Sequence, residues 1–257
     1  MELSRDQRSK RDLNHHEIIA DEYERVVNAP RTIANAALFR PVFGLLPKLK
    51  GKMLDIGCGS GQMTQRFGAR FDAVTALDHS SAMLDIAKAK LAQVPGLAEK
   101  VTWIEQDAFQ FAATTSEKFD FICAVGFLHH LAPADLTEML KLLTACSARG
   151  GRMVFAEPLE FEPADEPALA RWWNKPFCAQ FSGYSKDAED PDEGPIPLAV
   201  LNQVLRKVGL SVVYQRRAWE LFPRFHGNLV DKIMIPLLDI FTRRNGVVGM
   251  FVVQATP

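Results

Sequence analysis

The chain has 257 residues, 47% of them apolar, enough for one large domain with a substantial core. Thirty lysines and arginines nearly balance 31 acids, so a formal net charge of −1 leaves no electrostatic footprint for a nucleic-acid backbone. No run of 18 apolar residues spans a membrane, and the polar start Met1-Glu-Leu-Ser-Arg-Asp-Gln-Arg8 has no apolar signal segment.

A helix is predicted from Arg5 to about Asn28, with Leu13, Ile18, Ile19, Tyr23, Val26 and Val27 as an apolar stripe and Pro30 ending it. A second should run from about Thr32 to Phe43. Met53, Leu54 and Ile56 then read as a short buried strand, interrupted by Asp55. Gly57, Gly59 and Gly61 follow, allowing a tight turn with positive φ and letting a ligand approach bare backbone. A helix starting near Gln62 aims its free N–H groups at whatever fills that turn. This is the first crevice of a doubly wound nucleotide-binding fold.

Spacing narrows the ligand. A dinucleotide loop wants G-x-G-x-x-G, but the sixth position from Gly57 is Gln62 and the third glycine comes early, at Gly61. No Lys-Ser or Lys-Thr pair follows to make a phosphate loop. Asp55 would repel a pyrophosphate and suits the ammonium of an amino-acid tail.

A second strand, Ala73–Asp78, ends in a carboxylate about twenty residues beyond the loop, where such a fold holds both ribose hydroxyls. Ser80 or Ser81 should cap a helix whose buried face is Met83, Leu84, Ile86, Ala87 and Leu91. The third strand runs from Val101 into Asp107-Ala108. The fourth, Phe119–Val125, leads into Gly126-Phe-Leu-His-His-Leu131. Gly150-Gly151 introduces a fifth, Arg152–Pro158.

Residues 158–196 carry Trp172, Trp173, Phe177, Phe181 and Tyr184, then the acidic run Asp187 to Glu193, and are predicted to form a mobile loop. A helix from about Pro197 to Val208 closes on Gly209, and strands follow at Leu210–Tyr214 and Gly249–Ala255. Between them Leu229–Phe241 has helical apolar spacing, suited to the sheet, a partner subunit or an apolar acceptor. The four cysteines, Cys58, Cys123, Cys146 and Cys178, form no C-x-x-C pair, which favours free thiols in a reducing cytoplasm.

The D-x-G-x-G-x-G run of Asp55–Gly61, with Asp78, Asp107-Ala108 and the 126–131 segment in order, resembles class I S-adenosylmethionine (SAM) dependent methyltransferases acting on small molecules. The resemblance covers residues 53–158. It implies an α/β, Rossmann-like doubly wound sheet of seven strands, mostly parallel with an antiparallel last strand, plus N-terminal helices. Residues 1–50 would form a lid and 51–257 the core, with insertions at about 158–196 and 221–245. SAM would be the cofactor and S-adenosylhomocysteine its product. The implied cofactor residues are Tyr23 (in an A-x-x-Y run), Asp55, Gly57, Cys58, Gly59, Gly61, Asp78, His79, Met83, Asp107, Ala108 and Ala124.

His129 and His130 are the candidate general bases, because imidazole titrates near neutrality; the competing reading is a histidine that only bonds backbone. No metal is called for. An Asn-Pro-Pro-Tyr-type tetrapeptide after the fourth strand and a Pro-Cys nucleophile are both missing. What remains is a small-molecule acceptor, with O-methylation of an apolar or aromatic metabolite the first choice on frequency alone. A homodimer is a candidate assembly. Two alternatives stay open: a SAM-binding protein that transfers no methyl, and a nicotinamide-dependent oxidoreductase, which the glycine spacing disfavours.

Overall fold

A computed structural model describes residues 4–23, 38–46, 51–160, 195–218 and 248–256. Its centre is a sheet ordered β3-β2-β1-β4-β5-β8-β7. The strands are β1 (Lys52–Ile56), β2 (Ala73–Asp78), β3 (Val101–Glu105), β4 (Phe119–Val125), β5 (Ser147–Glu160), β7 (Leu210–Ala218) and β8 (Val248–Ala255). The first five in that order pair in parallel, whereas β8 lies antiparallel to both β5 and β7. This is the expected mostly parallel, seven-strand path. A two-residue strand not foreseen from sequence, β6 (Ile196–Pro197), adds to β5 at Leu159 and Glu160.

The chain winds outward from β1 to β3 and then restarts at β4 on the other side of β1. The crevice between β1 and β4, at their carboxyl ends, is therefore the switch point where such sheets bind ligands. Alternation places neighbouring residues on opposite faces. Leu54, Ile122 and Phe155 pack on one side; Met53, Phe121 and Val154 pack on the other. Helices α2 (Gln62–Phe67), α3 (Ser81–Leu91), α4 (Ala108–Thr114), α5 (Pro133–Cys146) and α6 (Leu198–Lys207) surround the sheet.

Three expectations need correction. β5 begins at Ser147, so Gly150 and Gly151 lie within it rather than before it. Gly151 is needed there because a Cβ would sit 2.9 Å from the Phe119 and Ala148 carbonyl oxygens, beside the register shift between Phe119 and Phe121. The second N-terminal helix is, in its described part, Leu38 and Phe39 followed by a 3-10 turn over Arg40–Gly44. Finally, one member of the predicted stripe on α1 (Arg5–Tyr23) is not buried: Ile18 is 67% exposed, while Leu13 is half-buried and the side chains of Ile19, Tyr23, Val26 and Val27 lie outside the described residues. The segments 24–37, 161–194 and 219–247 hold the rest of the predicted N-terminal helices, most of the predicted loop and the 221–245 insertion. They lie outside the described residues.

Candidate functional site: the crevice and the helix across it

β1 delivers Asp55 and then the glycine turn. Gly57, Gly59 and Gly61 all have positive φ, at 63°, 48° and 76°. Their surroundings differ. A Cβ on Gly57 would meet Phe127 Cδ2 at 2.6 Å and one on Gly61 would press on Ala87 Cβ at 3.1 Å, whereas one on Gly59 would meet nothing within 4 Å. Gly59 thus borders open space at the mouth of the crevice, which fits a ligand lying along its backbone.

Asp55 is buried beneath the loop and accepts a 2.6 Å bond from Thr64 Oγ1 of α2. Burial pushes its carboxyl up to about 6 against the opposing Thr64 bonds. Cys58 is also buried, and burial followed by the charges of Asp78 and Asp55 raises its thiol well above the usual range, so it is no nucleophile.

Asp78, at the end of β2, accepts from Gly59 N at 2.7 Å and from Ser80 N at 2.9 Å. One carboxylate therefore ties the glycine turn to the start of α3, where Ser80 caps Met83 N at 3.2 Å. Met83 itself is buried. Asp107 caps α4 through Gln110 N at 3.0 Å, and Ala108 is the first residue of that helix. Ala124 is fully buried among core residues, so any part it takes in the site is through its backbone. The side chain of Tyr23 lies outside the described residues, although its backbone ends α1.

Beyond β4 the two histidines separate in role. Glu157 of β5 is fully buried and accepts from Phe127 N (3.2 Å), Leu128 N (3.0 Å) and His129 Nδ1 (2.7 Å). A carboxylate only accepts, so His129 carries a proton on Nδ1 in this contact. His130, whose ring centroid is 4.1 Å from that of His129, turns toward α1 instead: its Nδ1 lies 3.0 Å from Asp12 Oδ1.

Polar contacts hold α1 across the carboxyl ends of the strands. Ser9 Oγ donates to Asp107 Oδ2 at 3.2 Å. Glu17 accepts from Ser80 Oγ, Ser81 Oγ and Ala82 N at the head of α3. Arg5 and Arg8 converge on Asp135 of α5, at 2.8 and 2.6 Å. Burial works the other way, but the two guanidinium groups hold that carboxyl below its ordinary range. Asp12 sits among three imidazoles: His16 Nδ1 at 3.3 Å, His79 Nε2 at 3.2 Å and His130 Nδ1 at 3.0 Å. Burial opposes charge on His16, yet the Asp12 bond and charge outweigh it and raise His16 to about 9.

The fold thus gathers Asp78, His79, Asp107, His129 and His130 along one edge. Ser9, Asp12, His16 and Glu17 went unrecognised. The only local signal was Asp12 and His16 four apart, one face of a helix.

Residues 53–151 match the family model described as a methyltransferase domain. An uncharacterised methyltransferase of Bacillus licheniformis is 28% identical over 203 residues, 77% of this chain and 88% of that protein. A ubiquinone biosynthesis O-methyltransferase of Coxiella burnetii is 29% identical over 109 residues, 42% of this chain and 44% of its own length. Among solved structures, a complex of DhpI with S-adenosylhomocysteine superposes with a TM-score of 0.66 at 16% identity, covering 99% of this chain and 100% of that one.

Proposed function

We propose that this chain, a class I SAM-dependent methyltransferase, methylates an oxygen of a small apolar or aromatic acceptor, with His129 as general base. SAM supplies an electrophilic methyl on a sulfonium, a good leaving group, so the protein's share is to align the acceptor, keep water out and remove a proton. Gly59 and its neighbours would cradle the methionine part, Asp78 the ribose hydroxyls and Asp107 the adenine amino group.

The observation that carries the reading is the Glu157–His129 pair. A buried carboxylate fixed by two backbone N–H groups holds His129 through Nδ1, on the segment that follows β4, and Nε2 is the nitrogen that would serve as base. A hydroxyl acceptor needs such a base; an amine already carrying a lone pair at neutral pH does not. Glu157 is then a positioning residue. The O-methyltransferase named above supports oxygen as the acceptor atom.

The test is to incubate protein and SAM with matched phenols, alcohols and amines, and to follow S-adenosylhomocysteine and product mass. Turnover with a hydroxyl acceptor that rises with pH through a group near neutrality, and loses that limb in His129→Asn, supports the proposal. Turnover confined to amines, or none with SAM bound, refutes it.

A further inference from the structure

We propose that Asp12, His16, His79 and His130 form a site for a borderline divalent transition-metal ion, Zn2+ in type, that pins α1 over the crevice. One ligand atom each from Asp12, His16 and His79 lie within 4.8 Å of one another. Asp12 carboxylate oxygens lie 3.2 Å from His79 Nε2 and 3.0 Å from His130 Nδ1. Tetrahedral zinc with bonds of ~2.0–2.1 Å separates its ligands by about 3.3–3.4 Å, so Asp12, His16 and His79 would close in around an ion, and His130, which lies outside that group of three, would have to swing further to become the fourth ligand.

Two of these side chains hold a buried polar atom without an aligned hydrogen bond. Asp12 Oδ1 and His130 Nδ1 are buried and face each other at 3.0 Å, yet neither has an aligned hydrogen-bond partner. His16 Nδ1 donates to the Asp12 carbonyl oxygen at 3.0 Å, so Nε2 is the nitrogen that would bind an ion. Three imidazoles converging on one carboxylate suit a cation that prefers nitrogen; magnesium and calcium prefer all-oxygen shells.

The donors come from three places: α1, the residue after β2, and the segment after β4. An ion bound there would join α1 to both sides of the switch point, next to Asp78. The inference does not depend on methyl transfer, because metal binding is measured without SAM or acceptor.

The experiment uses the full chain, stripped with chelator and titrated calorimetrically with Zn2+; Co2+ in a parallel sample reports geometry by its visible spectrum. One equivalent of Zn2+, an intense four-coordinate Co2+ spectrum and a higher melting temperature with metal are expected. His16→Ala and Asp12→Asn should each weaken binding by at least the ~10–100-fold known for lost supporting groups. Lys10→Ala, which removes an exposed partner of Asp6 on the same helix, should change nothing. Circular dichroism checks that each variant is folded, and if one is not, the other decides. Absence of a one-to-one site, a pale six-coordinate Co2+ spectrum, or affinity retained in the folded variants would overturn the proposal.

Discussion

Glu157→Gln is the sharpest test of how this site handles protons. The side chain keeps its size but holds one acceptor atom instead of two. Phe127 and Leu128 N–H already point at Oε1 from 3.2 and 3.0 Å, so the amide oxygen must take that position. Its NH2 then falls where Oε2 met His129 Nδ1 at 2.7 Å. Two donors cannot face each other, so the imidazole moves its proton to Nε2 and loses the basic nitrogen. General-base catalysis is commonly worth ~10²–10⁴-fold, and turnover should fall within that range while SAM affinity holds. The change from charged to neutral hydrogen bonds should cost about 1–2 kcal/mol of stability, a few degrees in melting temperature. Nitrogen-15 NMR of labelled imidazole reads the tautomer directly, with no acceptor required. A variant that keeps the Nδ1–H tautomer, or switches tautomer with turnover unchanged, would refute the reasoning.

Asp78→Ala removes the carboxylate proposed for both ribose hydroxyls; at ~1.5–3 kcal/mol per charged bond, SAM affinity measured by calorimetry should drop at least ~10-fold. Parent-like affinity would displace the ribose from that residue. Gly57→Ala and Gly59→Ala both strain a left-handed backbone, at ~1–2 kcal/mol each, but only the first drives a Cβ against Phe127. Gly57→Ala should therefore unfold at lower denaturant, whereas Gly59→Val should stay folded and lose SAM; the reverse order would contradict the loop's placement. Asp55 binds its proton more tightly when folded, at about 6 against an ordinary 3.8, so stability should fall as pH rises from about 4 to 6 and level off above. The span is roughly 3 kcal/mol, and Asp55→Asn should flatten it in pH-dependent denaturation curves.

The glycine loop, Asp78 and the strand series were legible because each is written locally: an apolar run, a turn only glycine allows, an acid at a fixed distance. The bounds of β5 were less so, since Gly150 and Gly151 look like a turn until the Phe119 carbonyl is seen to need a bare backbone beside it. The polar docking of α1 was hidden for a related reason. Its apolar residues suggested burial, but Arg5, Arg8, Ser9, Asp12 and Glu17 find partners between 63 and 133 positions away. No periodicity within the helix encodes those partners. The two adjacent histidines were equally opaque: their opposite attachments, one to Glu157 and one to Asp12, depend on how β5 and α1 meet the same turn.

The placement of β8 has a consequence for how the molecule is made. It is the last strand in sequence yet lies inside the sheet, between β5 and β7, and Arg152 of β5 pairs with Gln254, about 100 residues later. During synthesis the parallel half, through β5, can assemble early, but β5 keeps an open edge until Val248–Ala255 has emerged. Contacts so distant in the chain close slowly, and an unpaired apolar edge invites pairing with another molecule. Nascent chains arrested before residue 248 should therefore bind chaperones and aggregate, and a supplied peptide of the β8 sequence should rescue them.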